Sequence, residues 1–402
     1  MIGLFTAMEC ARRGMQVTVV ERNGTTRDGC SYGNTGMVVP SHFVPLAAPG
    51  MVALGLKWMW NPASPFYIKP RLSLELATWG LHFCRAANAA HVRRAAPLLA
   101  RLAMESRRSF ESLAGGENPF YFEKRGVLIL CRSEHALEEE AALVEPARSL
   151  GLHAEVLDAA ATARREPDVK MDVAGAVCIA EDCNVEPRRL MDWLQRRAGA
   201  EFAWDTQVTG FRREGAALKA VRTSQGEIDA DQFVLCAGSW SPGLARDLGV
   251  RLPMQPGKGY SLTLPRPARA PRACAVLSEA RVSVSPMNGQ LRFGGTMELA
   301  GLDESVNPIR VRGIVDAVQR YYPEFKASDF DGVEPWRGLR PVTPDGLPYL
   351  GRSSRVENLV VATGHAMMGV SLAPATARIA ADLLAGAPPA TDLSLLTPER
   401  FN

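Results

Sequence analysis

The sequence has little of what a metal centre, a disulfide framework or a membrane span requires. Its 402 residues include only six histidines, and the eight cysteines form no CxxC pair. This scarcity argues against metal ligation and secreted disulfide scaffolds, and it favours a reducing compartment. The longest apolar stretch, residues 43–60, is interrupted by prolines, glycines and a lysine, so no span of about 20 apolar residues exists. We therefore predict a cytoplasmic protein with at most a peripheral contact to a membrane.

A strong charge of one sign is also missing. Lys and Arg number 46 and Asp and Glu 43, a net charge of +3, which gives no reason to expect a nucleic-acid partner. Apolar residues make up 47%, a value typical of globular proteins with substantial cores. The length favours two domains or one large α/β unit.

The first 22 residues indicate the second half of a dinucleotide-binding βαβ unit. Residues 2–13 have helical composition, Gly14 ends that helix, and residues 16–20 form a buried β run. Glu21 follows the run, about where an acid would bind an adenosine ribose. Only the last glycine of the GxGxxG fingerprint is present, as Gly3, so we expect Met1 to lie inside the motif. An ordinary helix–strand pair ending in a solvated acid is the alternative.

Further along, α/β units enclose a β-rich insertion. Residues 30–36 form a small, polar, glycine-bearing loop, which allows the backbone to approach a ligand closely. Short β runs between residues 260 and 296 predict an antiparallel sheet. Two buried β runs, residues 233–238 and 359–364, each end in glycine before a helix. Ligands of α/β sheets bind at such strand ends.

Four segments together resemble the FAD-dependent amine oxidoreductases, the family of D-amino-acid oxidase, glycine oxidase and the D-amino-acid dehydrogenases. They are residues 3–22, residues 30–50 with CSYGNTG and AAPG, residues 234–240 with VLCAGSW, and residues 338–369 with GLRPVTPDGLP and TGH. The resemblance is closest to the bacterial D-amino-acid dehydrogenases. Gly33 and Thr35 stand where that branch usually has alanine, which keeps other substrates open.

The resemblance implies an α/β fold with two domains. One is a Rossmann-like FAD-binding domain, discontinuous over residues 1–60, 145–245 and 330–402, whose N-terminal strand and glycine turn are expected to be truncated. The other is a substrate domain with a mixed or antiparallel β-sheet, over residues 61–144 and 246–329.

The implied function is oxidative deamination of a D-amino acid. A hydride equivalent passes from the substrate Cα to N5 of FAD, and the imino acid is hydrolysed to a 2-oxo acid. The implied partners are a small D-amino or imino acid and an electron acceptor (a quinone, a carrier or O2). Cyclic imino acids such as D-hydroxyproline, and glycine or sarcosine, are alternative substrates. A truncated, non-catalytic homologue or subunit is the alternative of another class.

The resemblance also assigns roles to individual residues. Arg340 would bind the substrate carboxylate, because a planar guanidinium pairs with a carboxylate through two hydrogen bonds. Tyr260 and His365 are further catalytic candidates, with a place in the core as their alternative. No metal ligands are expected. The cofactor-binding candidates are Gly3, Glu21, Arg22, Ser31, Gly33, Asn34, Val208, Ala237, Gly238, Gly338, Gly364, Met368, Gly369 and Val370.

Overall fold

The computed structural model describes residues 1–25, 29–59 and 64–401. Its helices are α1 (Ile2–Arg12), α2 (Met51–Trp58), α3 (Leu74–Ala86), α4 (Ala89–Ala114), α5 (Glu134–Ala141), α6 (Val144–Ser149), α7 (Ala159–Arg165), α8 (Pro187–Arg197), α9 (Ser241–Asp247), α10 (Pro308–Tyr321) and α11 (Ala373–Leu384). Short 3-10 helices cover Gly238–Trp240, Ala327–Phe330 and Ala366–Met368.

The strands are short in the first half of the chain and longer in the second. They are β1 (Thr18–Val20), β2 (Met37–Val38), β3 (Phe66–Ile68), β4 (Val127–Cys131), β5 (Ala154–Asp158), β6 (Gly175–Ile179), β7 (Cys183–Asn184), β8 (Glu201–Ala203), β9 (Val208–Glu214), β10 (Ala217–Thr223), β11 (Gly226–Asp229), β12 (Phe233–Leu235), β13 (Gln255–Leu264), β14 (Cys274–Leu277), β15 (Val282–Met287), β16 (Gln290–Leu299), β17 (Trp336–Val342), β18 (Tyr349–Arg352) and β19 (Leu359–Thr363).

The largest sheet is mixed, as predicted for the substrate half. Its strand order is β17-β13-β16-β15-β14-β4-β6-β5. Strand β3, which is not part of this order, pairs with β16. The β14–β4 and β16–β3 pairs are parallel, and the other pairs are antiparallel. Helix α10 begins at the side-chain cap of Asn307, with Pro308 in its first turn. It buries Ile314 and Val318 against Phe293 of the sheet.

The domain boundaries predicted from the sequence cut through this sheet. Strands β5 and β6 lie within residues 145–245, and β17 lies within residues 330–402, yet all three belong to the large sheet. Local sequence identifies a strand, but the choice of its partner depends on tertiary packing, which the pattern does not encode. The predicted boundary between residues 60 and 61 lies outside the described residues. The two-domain division stays a prediction.

The nucleotide-binding half contains two pairs of parallel strands. β1 pairs with β8, and β12 pairs with β19, whose other neighbour β18 is antiparallel. Helix α11 packs against α1, α4 and β19 and is buried over most of its length. Its many alanines allow the neighbouring helices to approach closely. This packing connects β19, and through it β12, to α1, which in turn packs on β1.

None of the helices among the described residues is long and apolar enough to cross a membrane. Within the same ranges, no group of three or more His, Cys, Asp or Glu side chains is placed to hold a metal ion.

Candidate functional site

The N-terminus of α1 lies near three other segments: the loop at Cys30, the chain after β12 and the chain after β19. We call the region between them the crevice. Burial raises the pKa of Cys236 to about 12 and lowers that of His365 to about 3, and the amino-terminal charge also acts on both groups. The same charge acts on Cys30, whose pKa is raised by burial. The loop at Cys30 and the chain after β12 and β19 therefore lie close to Met1. Strand ends and a helix N-terminus that meet in this way suit an anionic nucleotide.

Glu21 follows the last residue of β1 directly. Its backbone N–H donates to the Ala203 carbonyl, and its own carbonyl accepts from the Thr206 N–H. Its carboxylate accepts a 3.0 Å hydrogen bond from the Asn23 N–H. Val208 begins β9 two residues beyond Thr206. The structure thus places Glu21 beside the turn that leads into β9, at whose start Val208 lies.

The loop of residues 30–36 is held by side chains of the large sheet. Ser261 Oγ donates to the Gly33 carbonyl at 2.9 Å, and Arg292 donates to the Asn34 carbonyl at 2.7 Å. The Asn34 side chain accepts from the Gly36 N–H at 2.7 Å, which stabilises the turn. The loop backbone is therefore fixed from two adjacent strands, β13 and β16.

A cavity of about 40 Å³ lies between this loop and β17. The Trp336 indole packs directly on two glycines, because a Cβ on Gly33 or on Gly338 would lie 2.1 Å from the ring. Both positions therefore require glycine. The residues lining the cavity are Cys30, Gly33, Asn34, Thr35, Tyr260, Ser261, Ser283, Gly294, Trp336, Gly338 and Arg340.

Arg340 supplies the positive charge of the cavity. It donates to the Thr296 carbonyl at 2.8 Å. Burial lowers its pKa, while the neighbouring Cys30 acts in the opposite sense. Among the described residues, no carboxylate forms an ion pair with Arg340. Arg340 is half-buried. A partly desolvated guanidinium without a counter-ion is unfavourable, and an anionic ligand would offset that cost.

Tyr260 and His365 lie close to Arg340. The Tyr260 hydroxyl and the Nε2 atom of His365 each have a hydrogen-bond partner. The Tyr260 hydroxyl donates to Glu298 at 3.0 Å, so the ring points away into the core. His365 Nε2 lies 2.9 Å from Thr376 Oγ1, and its low pKa keeps the ring neutral at physiological pH. Their catalytic roles stay predictions.

The remaining predicted residues lie at strand ends around the crevice. A Cβ on Gly3 would lie 3.5 Å from the Cβ of Cys236, so α1 approaches the chain after β12. Gly364 directly follows β19 with a φ of +79°, and a Cβ there would lie 2.6 Å from Thr343. Ala237 and Gly238 follow β12, Met368, Gly369 and Val370 precede α11, and the Ser31 carbonyl accepts from the Asn34 N–H.

Sequence reasoning missed four residues that shape the cavity. Ser261, Arg292 and Thr296 lie on strands whose registers cannot be inferred locally, and they hold the loop or Arg340. Trp336 could have been found, because it lies on the same strand face as Gly338 and Arg340 at a spacing of two.

Comparison with known proteins decides the family. The chain matches the family model described as DAO, FAD dependent oxidoreductase, over residues 1–383. The chain belongs to the DAO family. It is therefore an FAD-dependent oxidoreductase, and the predicted cofactor is confirmed as FAD.

Other members of the DAO family match the chain over its full length. It is 33% identical to the D-amino acid dehydrogenase of Paramagnetospirillum magneticum, covering 100% of this chain and 96% of that protein. It is 31% identical to the D-amino acid dehydrogenase of Granulibacter bethesdensis, covering 100% and 97%.

Solved structures support the same fold. Glycine oxidase from Geobacillus kaustophilus superposes with a TM-score of 0.79 at 23% identity, covering 99% of this chain and 96% of that one. L-proline dehydrogenase from P. horikoshii gives a TM-score of 0.75 at 17% identity, covering 100% and 95%. The predicted fold class, an FAD-binding α/β fold with a mixed sheet, is confirmed.

The crevice of the chain fits FAD. Helix α1 begins without a side-chain cap at the point where the strand ends meet, and helix N-termini of this kind suit a pyrophosphate. At Gly33 and Gly338 the space that a Cβ would fill is taken by the Trp336 indole, so these two glycines are covered by that ring.

Proposed function

We propose that the protein uses FAD to oxidise a D-amino acid to an imino acid, which hydrolyses to a 2-oxo acid and ammonia. The observation that carries this proposal is Arg340, a half-buried cation that faces a cavity without a carboxylate partner among the described residues. The two relatives named D-amino acid dehydrogenase favour the D-configuration of the substrate.

Arg340 would bind and orient the substrate through its carboxylate. One guanidinium nitrogen is engaged by the Thr296 carbonyl, so the fork has a fixed direction. A carboxylate paired with such a fork is held in one orientation, which places its Cα reproducibly beside the loop of residues 30–36. When bound, FAD supplies the chemistry by taking two electrons and a proton from the Cα–H bond, and a quinone, a carrier or O2 reoxidises it.

The cofactor would lie along the crevice from Glu21 to the cavity. Glu21 would bind the ribose hydroxyls, and the N-terminus of α1 at Gly3 would face the pyrophosphate. The residues proposed to flank the adenosine end are Arg22 and Val208, and those proposed to flank the flavin end are Ser31, Gly33, Asn34, Ala237, Gly238, Gly338, Gly364, Met368, Gly369 and Val370.

Tyr260 and His365 would support the site without exchanging protons. The Tyr260 hydroxyl is held by Glu298, which together with burial raises its pKa, so it remains protonated. His365 remains neutral and hydrogen-bonded to Thr376. We propose that Tyr260 holds the middle of β13 in place and that His365 holds the chain that follows β19.

An anaerobic reduction screen tests this proposal. The FAD-loaded protein is mixed with D-amino acids, L-amino acids, glycine, sarcosine and D-hydroxyproline while the visible flavin band is followed. Bleaching by D-amino acids, with release of ammonia and a 2-oxo acid, is the expected result. Bleaching by another class alone, or by none, would overturn the substrate assignment. Reoxidation in air, compared with reoxidation by a quinone analogue, distinguishes the acceptors.

The Arg340→Lys variant is the matched control for the role of the guanidinium. It keeps the charge but loses the planar fork, so kcat/KM should fall by about 100-fold, equivalent to about 2.7 kcal/mol. Its FAD content should equal that of the wild type. An equal loss of FAD and activity would place Arg340 in cofactor binding instead.

A further inference from the structure

Thr296 has a backbone conformation that is unusual for its residue type. Its φ is +63°, in the left-handed region that a β-branched side chain rarely adopts. It lies where the register between β13 and β16 shifts, because Lys258 pairs with Glu298 but Tyr260 pairs with Gly295. Two residues of β16 thus face one residue of β13, which is a β-bulge. Such strained positions persist where the surrounding structure over-determines them.

The bulge turns the Thr296 carbonyl toward Arg340. Arg340 lies on β17, on the other side of β13, and it donates to this carbonyl at 2.8 Å. The carbonyl of a bulged residue leaves the regular ladder, so it can accept from a side chain. One hydrogen bond across the intervening strand thereby fixes the direction of the guanidinium.

Gly259 is the residue of β13 that lies beneath this guanidinium. A Cβ at position 259 would lie 2.0, 2.3 and 2.4 Å from the two terminal nitrogens and the central carbon of the Arg340 guanidinium. The space that a side chain would fill is therefore occupied by the guanidinium. Gly259 has no left-handed φ, so its backbone accepts alanine.

We propose that the Thr296 bulge and Gly259 form a seat that positions Arg340 for a carboxylate ligand. Gly259 lets the guanidinium lie flat on β13, and the Thr296 carbonyl holds one of its nitrogens. The rest of the fork then points into the cavity. Both are positioning residues that act through Arg340. The inference rests on the proposed role of Arg340 in substrate binding.

The test replaces Gly259 with alanine in the full-length, FAD-loaded protein. The new methyl displaces only the end of a flexible side chain, so folding and FAD content should be retained. KM for D-alanine and the dissociation constant for propionate should both rise by at least about tenfold, while kcat changes by less than about threefold. Propionate binding is read from the perturbed flavin spectrum and does not require turnover.

Gly257→Ala is the matched control. Gly257 lies on the same face of β13, but a Cβ there would meet Val342 and Met297, at 2.8 and 3.2 Å, and not the guanidinium. This variant should lose thermal stability without weakening propionate binding. A similar loss of propionate affinity in both variants would contradict the seat.

A double-mutant cycle tests whether Gly259 acts through Arg340. In an Arg340→Lys background the planar group above position 259 is gone, so Gly259→Ala should change propionate binding by less than about twofold. The same factor in both backgrounds would overturn the proposal.

Thr296→Gly keeps the left-handed backbone and the carbonyl, so it should bind propionate like the wild type. Weaker binding would show that the Thr296 side chain, and not its carbonyl, matters.

These outcomes separate the two proposals. If no D-amino acid bleaches the wild-type flavin but propionate binding responds to Gly259→Ala as expected, the substrate assignment fails and the seat stands. If D-alanine is oxidised and Gly259→Ala leaves both constants unchanged, the seat fails and the proposed function stands.

Discussion

The guanidinium carbon of Arg22 lies 3.7 Å from the centroid of the Trp240 ring. Arg22 follows β1, and Trp240 ends the 3-10 helix after β12. The sheets that contain these two strands share no ladder among the described residues. A cation–π contact therefore joins two strand ends that backbone hydrogen bonds do not connect.

Removing this contact should loosen the crevice. Because Arg22 is exposed, we expect Arg22→Ala to lower the free energy of unfolding by about 0.5–1 kcal/mol. The affinity for FAD should fall as well, since the strand ends are less well fixed. Urea denaturation and FAD titration measure the two effects, with Arg22→Lys as a control that keeps the charge. Unchanged FAD affinity would mean that the contact is local.

The loop of residues 30–36 should depend on Ser261. Ser261→Ala leaves the buried Gly33 carbonyl without its donor, which should cost about 1–2 kcal/mol of stability. FAD should also dissociate faster. Ser149→Ala, which removes an exposed hydroxyl from a helix end, is the control. Equal FAD dissociation rates in both variants would argue that the loop does not contact the cofactor.

The packing of Trp336 on Gly33 can be tested with two substitutions, made singly and together. The three nearest neighbours of a Cβ on Gly33 are indole atoms at 2.1, 2.2 and 2.7 Å. Gly33→Ala should therefore destabilise the protein by about 1–3 kcal/mol. Trp336→Ala in the same chain removes the clash, so the double variant should be more stable than the sum of the single changes predicts. Simple additivity in thermal unfolding would count against this packing.

Asp182 should make stability depend on pH. It is fully buried and accepts hydrogen bonds from the Ser41 hydroxyl and N–H at 2.5 and 3.0 Å. Burial raises its pKa from 3.8 to about 7, and the hydrogen bonds from Ser41 oppose this. The unfolded chain therefore loses this proton at a lower pH than the folded one. The free energy of unfolding should fall as the pH rises from 3.8 to about 7 and should change no further above it.

Asp182→Asn tests this linkage. The variant cannot titrate, so above pH 7 it should be more stable than the wild type by about 2–4 kcal/mol, and the difference should vanish near pH 4. Chemical denaturation across that range measures it, with the exposed Asp247→Asn as the control. A pH-independent difference would show that Asp182 does not titrate in this window.

The sequence predicted best those features that depend on neighbouring residues. The helix predicted over residues 2–13 appears as α1, since composition and the Gly14 stop act locally. The β run predicted over residues 16–20 appears only in part as β1, and it was wrongly expected to be buried, because Thr18 is exposed and the next two residues are half-buried. Through the family resemblance, the GLRP motif indicated Arg340 as a candidate for binding the substrate carboxylate, and this role stays a prediction. Residues 134–149 form two separate helices, α5 and α6, and their division follows from packing against different strands, which local sequence does not encode.

Features that depend on the register of distant strands were beyond sequence analysis. The Thr296 carbonyl reaches Arg340 only because β16 and β17 flank β13 with one bulge between them. Tyr260 has its ring turned to Glu298, since alternation along β13 gives the opposite face to Ser261. A shift of one residue in register would exchange these faces.

The contact between α1 and α11 sets an order of events during synthesis. Helix α1 leaves the ribosome long before α11, with which it is in contact in the folded chain. The large sheet can pair β4, β6, β13 and β16 before α11 exists, whereas the nucleotide crevice cannot close until α11 has been synthesised. Nascent chains arrested before α11 should therefore remain unable to retain FAD, and the cofactor should enter only after α11 has emerged.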